Sequence, residues 1–210
     1  MGPIKTKDAT TTEVVINKLE GNFGLTRGMQ HRIGLLVIAW GMYECNLELL
    51  LWAIKGENPA GIKPSTDAKP VSDWINRLRN DSKALHERLA NGAAIICDCA
   101  DDLLTFRNAI VHGWLVPVEV GGPLFLNNPR WFSDRKRPST EAHISDQLLD
   151  MGIECADILL EGVARISASI ADQINFESHF PLAILDKLRH AQSMAHEIRY
   201  LTSMMNFEKY

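Results

Sequence analysis

The chain has few of the features that mark disulfide-bonded or zinc-binding proteins. Its 210 residues include four cysteines and no CxxC pair. All four fall within helical patterns, and Cys97 and Cys99 would point to different faces of their helix. We therefore interpret Cys45, Cys97, Cys99 and Cys155 as reduced core residues, and we expect neither a disulfide framework nor a structural zinc site.

Segments typical of secretion or of membrane insertion are also missing. The first five residues, Met-Gly-Pro-Ile-Lys, contain no apolar core of signal-peptide type. The most apolar run, residues 33–43, is followed by Glu44, Asn46 and Glu48. That run is shorter than the roughly 20 apolar residues that a helix needs to span a bilayer. We expect a cytoplasmic protein that does not enter a membrane.

The charge balance argues against a polycationic nucleic-acid-binding protein. The net charge is -4, so any contact with nucleic acid must come from a local basic surface. One candidate lies in residues 127–139, where four basic side chains occur together with Trp131 and Phe132: Arg130, Arg135, Lys136 and Arg137. This segment is either a basic and aromatic RNA-contacting loop or an ordinary solvated loop, and both alternatives stay open.

The spacing of apolar residues predicts a helical protein. Intervals of three, four and seven recur in three long segments, at about 26–55, 85–112 and 140–174, and Pro181 starts a last helix that ends near 205. Residues 114–126 have the pattern of a β-hairpin with Pro117 in an edge strand. Residues 1–22 are polar and predicted to be flexible. We expect an all-α, up-and-down bundle over 23–210 with one small hairpin insertion.

Each long helix has a stripe predicted to face the core, and two charged residues interrupt these stripes. In the first helix the stripe is Ile33, Val37, Trp40, Leu47 and Leu51, and it is broken by Glu44. In the second, Arg107 points where Leu or Ile is expected. Because a buried guanidinium is costly without a partner, one hypothesis pairs Arg107 with Glu44. The alternative for Glu44 is an edge position that reaches solvent.

The residues best suited to catalysis lie at the end of the second helix. Asn108 and His112 are four positions apart and share a helix face, and Gly113 is predicted to cap the helix. Together with Arg107 they provide a phosphate clamp, an orienting amide and a general acid–base. The other histidines form no ligand pair at helical spacing and no HExxH motif is present, so neither a metal nor another cofactor is expected.

Arg107 is followed directly by Asn108 and, after four intervening residues, by His112, and this pattern resembles the signature of the HEPN superfamily. The helix pattern is similar as well, with two long helices and the motif near the end of the later one. The resemblance covers roughly residues 26–176. The hairpin and the last helix are additions that the family does not require.

The resemblance implies a metal-independent endoribonuclease in which the ribose 2′-OH attacks the adjacent phosphate. His112 would transfer protons, Arg107 would stabilise the phosphorane, and Asn108 would orient the phosphate or His112. It also implies a homodimer whose two motifs face one cleft. Many members are toxins with an antitoxin protein partner, and others act in phage defence. The alternatives are a non-catalytic HEPN-like dimeric binding module and an unrelated helical bundle.

Overall fold

The computed structural model describes residues 10–58, 60–117, 122–126, 131–132, 135–136 and 141–204, with only the backbone at 131–132, 135–136 and 203–204. It is mostly helical, which confirms the predicted all-α bundle with a small β insertion. The helices are α1 (Thr11–Phe23), α2 (Arg27–Lys55), α3 (Val71–Asp81), α4 (Glu87–His112), α5 (Asp146–Ala171), α6 (Phe176–His179) and α7 (Leu182–Met204). The strands are β1 (Trp114–Val116), β2 (Leu124–Leu126), β3 (Trp131–Phe132), β4 (Arg135–Lys136) and β5 (Glu141–His143).

Helix α5 is the centre of the bundle. It packs against α2 along most of its length and also contacts α4 and α7, which pack against each other. The largest fully buried side chains come from α2, from α4 and from the turn before α7: Trp40, Tyr43, Phe106 and Phe180. Burial of such aromatic surface is the main source of fold stability.

The ends of the long helices follow from residues with specific capping chemistry. The Thr26 hydroxyl accepts a hydrogen bond from the Met29 amide at 3.2 Å and begins α2. At the other end Gly56 adopts a left-handed conformation, with φ of 63°. Ser145 caps α5 in the same way as Thr26 caps α2, through the Leu148 amide. The predicted boundaries of α2 are therefore confirmed.

The N-terminal segment differs from the prediction of a flexible tail over residues 1–22. Residues 11–23 form α1, and residues 1–9 lie outside the described part of the chain. Thr10 and Glu13 form a capping box in which each side chain bonds the other's backbone amide, and Gly24 ends the helix with φ of 67°. No residue of α1 is buried. Local capping chemistry thus begins and ends a helix whose contact with the core comes from partly buried Leu19.

The small sheet has the strand order β1-β2-β5, and all of its pairs are antiparallel. Trp114 pairs with Leu126, which confirms the predicted hairpin, and β1 is an edge strand that ends just before Pro117. Strand β5 was not predicted, since residue 140 was expected to start the third long helix. That helix begins at Asp146 instead. A strand of three residues is too short to show alternation, and it forms because β2 offers a free edge.

Helix α2 uses a partly different core face from the predicted one. Its buried residues are Leu36, Trp40, Tyr43, Leu47, Leu50 and Leu51, whereas Val37 is exposed. Cys45 is exposed too, so only three of the four cysteines are core residues. By length and composition α2 is also able to cross a membrane. These observations have one origin: α2 is apolar on two faces, and only one of them is buried in the bundle.

Candidate functional site

Arg107 lies near the end of α4 with its side chain half-buried. Its Nη1 donates a hydrogen bond to Oδ1 of Asn108 at 2.9 Å, and its Nε is buried without a hydrogen-bond partner. Phe106 and Ile110 are buried on the adjoining core face. The guanidinium is therefore partly desolvated and held in place by the neighbouring amide.

The sequence hypothesis of an Arg107–Glu44 ion pair is wrong. Among the residues that the structure describes, no ion pair includes Arg107. Glu44 instead accepts a hydrogen bond from Nε1 of Trp40, one turn earlier on the same helix. The Trp40 indole is fully buried, so its N–H needs an acceptor, and the i,i+4 spacing brings Glu44 within reach. Glu44 stands in the apolar stripe of α2 because it accepts the hydrogen bond of the buried Trp40 N–H.

Asn108 and His112 lie on one face of α4, as their spacing predicts. Asn108 is half-buried, while His112 is exposed at the last residue of the helix. Trp114, at the start of β1, is 57% exposed and lies two positions beyond His112. The exposed imidazole of His112 and the exposed indole of Trp114 thus follow the fixed Arg107 guanidinium by five and seven residues.

Gly113 ends α4 as predicted, but for a different physical reason. Its φ of -82° and ψ of 161° are extended, a conformation open to any residue. A Cβ at this position would lie 2.2 Å from the carbonyl oxygen of Ala109 and 3.2 Å from Cβ of Phe125. The end of α4 itself therefore requires glycine, because the Ala109 carbonyl leaves no room for a Cβ, and glycine also lets β2 pack closely beside His112.

The candidate basic loop is only partly within the described residues. Arg130 and Arg137 lie outside them. The backbones of Trp131, Arg135 and Lys136 form the β3–β4 pair, in which Trp131 is opposite Lys136, and their side chains also lie outside the described part. The RNA-contacting role of this segment stays a prediction.

A second polar cluster joins α4 to α7, and sequence reasoning missed it. Asp102 is nearly buried, accepts a hydrogen bond from Nη1 of Arg199 at 2.6 Å, and lies 3.5 Å from Nδ1 of His196. The surrounding depression, about 460 Å³ in volume, is completed by Asp98, Arg189, Gln192 and Ser193. The sequence signal was Asp102 itself, an acidic residue directly beside the core position Leu103. Its contacts tie the two helices together.

Within the described part of the chain, no three His, Cys, Asp or Glu side chains are grouped closely enough to hold a metal ion.

Comparison of the chain with protein-family models, with curated proteins and with solved structures gives no match. The HEPN resemblance therefore depends on the Arg107, Asn108 and His112 pattern and on its place at the end of a long helix.

Proposed function

We propose that the protein is a metal-independent endoribonuclease of the HEPN type, with Arg107, Asn108 and His112 as its catalytic residues. The observation that carries the proposal is the environment of the Arg107 side chain. Its guanidinium is half-buried, fixed by Asn108 and not neutralised by any carboxylate of the described residues. A partly desolvated, oriented and unpaired guanidinium is well suited to bind a phosphate, because its planar fork matches two phosphate oxygens.

The chemistry assigned to the site is transesterification of the RNA backbone. The 2′-oxygen attacks the adjacent phosphorus as the bond from phosphorus to the 5′-oxygen breaks, and the proton lost by the 2′-OH is finally replaced on the leaving 5′-oxygen. Exposed His112 is the group that transfers these protons. Arg107 stabilises the charge that accumulates on the phosphorane, and Asn108 keeps the guanidinium plane oriented. The products are a 2′,3′-cyclic phosphate and a 5′-OH.

Trp114 supports unpaired RNA as the substrate class. Its indole is more than half exposed and follows His112 by two residues. Unstacked bases bind well on exposed aromatic faces, and such a contact is worth about 1–3 kcal/mol per base. A duplex offers no free base face at this point, so single-stranded segments fit better. The resemblance adds a toxin or phage-defence role, with an antitoxin protein as partner in the toxin case.

The second candidate function is a non-catalytic, HEPN-like binding module. One observation favours it: Nη1 of Arg107 is already engaged by Asn108, and Nε is buried, so much of the donor fork is turned away from an incoming phosphate. The net charge of -4 also weakens general attraction to RNA.

Incubation of the purified protein with end-labelled RNA in EDTA tests the proposal. We expect fragments that end in a cyclic phosphate. His112→Ala should lose about 10²–10⁴ in rate and its bell-shaped pH profile, and Arg107→Lys should be slow with an unchanged profile. His190 is also an exposed histidine but lies on α7, so His190→Ala is the matched control and should cleave normally.

The outcomes separate the two candidates. RNA that stays intact but binds in an Arg107-dependent way identifies the binding module. Cleavage that survives His112→Ala, or that requires a divalent metal ion, rejects the assigned site.

A further inference from the structure

Helix α2 carries a second apolar face that the bundle does not cover. Five residues alternate at spacings of three and four along it, and we call them the outer stripe: Leu35, Ile38, Met42, Cys45 and Leu49. Its Leu, Ile and Met side chains are between 41% and 61% exposed. At about 100° per residue, the outer stripe lies roughly opposite the buried side of the helix. Only 28% of the most apolar part of α2 is buried.

Charged groups are missing from the outer stripe. Between residues 33 and 54 the only charged residues are Glu44 and Glu48. Glu44 is bonded to Trp40, and Glu48 accepts a hydrogen bond from Thr66 in the loop before α3. A helix face that meets solvent normally carries charged side chains, and a contiguous apolar patch of this size marks an interaction surface.

We propose that the outer stripe is a homodimer interface, in which α2 of one copy packs against α2 of a second copy about a twofold axis near Met42. Spacing that alternates between three and four is the spacing of a seam between two packed helices. A twofold axis through the centre of the stripe makes the surface complementary to itself, so that one stripe supplies both sides of the contact.

The exposed area of the outer stripe is enough for a stable contact. Half-exposed Leu, Ile and Met side chains leave roughly 50–100 Å² each, so the stripe offers about 400 Å² per copy and about 800 Å² for the pair. Homodimer interfaces are about 65% apolar by area, so about 800 Å² of apolar contact corresponds to a total buried area of about 1,200 Å². That total lies at the lower end of the usual range of about 1,200–2,000 Å² for specific interfaces.

Two glycines beside the stripe fit close helix packing. Among the residues that the structure describes, a Cβ on Gly34 or Gly41 would meet nothing within 4 Å. Both lie within α2, where glycine is less favourable than alanine, and no contact with the described part of the same chain requires their small size. They are seven residues apart and lie on one side of the helix, so a second α2 gains room to approach the backbone.

Measuring the oligomeric state tests the dimer proposal without RNA. A negative result would therefore reject the dimer and leave the ribonuclease proposal untouched. Sedimentation equilibrium should show a dimer for the full chain. Ile38→Glu should be monomeric, with an unchanged circular dichroism spectrum and a dissociation constant raised by on the order of 10²–10³, because the new carboxylate is then buried without a partner against the apolar stripe of the second copy. Ile174→Glu, at a position that is 94% exposed after α5, is the matched control and should stay dimeric.

Reactivity of Cys45 gives a second measurement that needs no destabilising variant. Cys45 is exposed in the single chain, and the other three cysteines are buried. Maleimide labelling of Cys45 should slow as the wild-type concentration rises, and it should be independent of concentration in Ile38→Glu. Gly41→Ala should weaken the dimer, yet raise the melting temperature when added to Ile38→Glu.

Three outcomes overturn the proposal. The first is a wild-type monomer at the highest soluble concentration, with Cys45 equally reactive throughout. The second is a dimer that Ile38→Glu leaves intact. The third is a monomer that floats with phosphatidylcholine vesicles and loses this ability in Ile38→Glu, which identifies the outer stripe as a membrane-binding face.

Discussion

Gly92 offers a strict test of how α4 packs against the start of α7. A Cβ at this position would lie 2.5 Å from Cζ and 3.0 Å from Cε1 of Phe180. The Phe180 ring is fully buried, so it cannot turn aside without moving its neighbours. Alanine gains about 1 kcal/mol in helix propensity, while overpacking costs about 1–3 kcal/mol and is at its upper end against a rigid ring. We expect Gly92→Ala to lower the free energy of unfolding by about 2 kcal/mol.

Gly152 in α5 is the matched control, because it is a buried helical glycine with room beside it. A Cβ there would lie 3.5 Å from Cδ1 of Leu36 and 3.5 Å from Cε1 of Phe106, which are ordinary van der Waals distances. Gly152→Ala therefore keeps the propensity gain and adds favourable contacts, and it should stabilise the protein by about 1 kcal/mol.

Thermal unfolding of the two variants at one protein concentration measures the difference. For a chain of this length 1 kcal/mol shifts the melting temperature by about 2–4 °C, so the variants should differ by about 6–12 °C. Equal melting temperatures, or a Gly92→Ala variant more stable than Gly152→Ala, would refute the packing of Phe180 on α4.

Two further predictions concern the buried thiols and the candidate site. Burial raises the pKa of Cys97 to about 12, which keeps this thiol protonated and unreactive, so maleimide at about pH 8 should label only Cys45 in the native protein and all four cysteines in urea; mass spectrometry showing a second native label would contradict this burial. Arg107→Ala should change stability by less than about 1 kcal/mol because the described residues offer it no ion pair, whereas Glu44→Ala should cost about 1–3 kcal/mol by leaving the buried Trp40 N–H unpaired. Urea unfolding compares the two, and a larger loss for Arg107→Ala would reverse the assignment.

Elements that carry their own local signals could be predicted from the sequence. Thr26 and Gly56 mark the ends of α2, and the glycines and proline at 121–123 predicted from the sequence the hairpin in which Trp114 pairs with Leu126. The core side of α2 was only partly predictable. Val37 fits the helical period but is exposed, while Tyr43 is buried. On a helix that is apolar on two faces, periodicity gives the spacing of the stripes and cannot tell which stripe meets the core.

Contacts between elements were harder to predict for the candidate site. Arg107, Asn108 and His112 share the end of one helix, so their relative placement follows from helical geometry alone. The partner of Glu44 did not follow, because the choice between Arg107 and Trp40 depends on how α2 and α4 pack. Gly113 shows this limit in part: its tightest constraint is the nearby Ala109 carbonyl of α4, whereas its contact with Phe125 of strand β2 depends on how the elements pack.

The pairing of β2 with β5 has a consequence for the segment between them. Leu126 and Glu141 are direct partners in the ladder, so residues 127–140 leave and re-enter the fold at the same point. The segment is an insertion whose two ends are held together by the sheet. Doubling its length therefore adds only about 0.6 kcal/mol of loop-closure free energy. A change in the length or charge of this segment therefore leaves the pairing at its two ends intact. Sequence variation there costs the bundle little folding free energy.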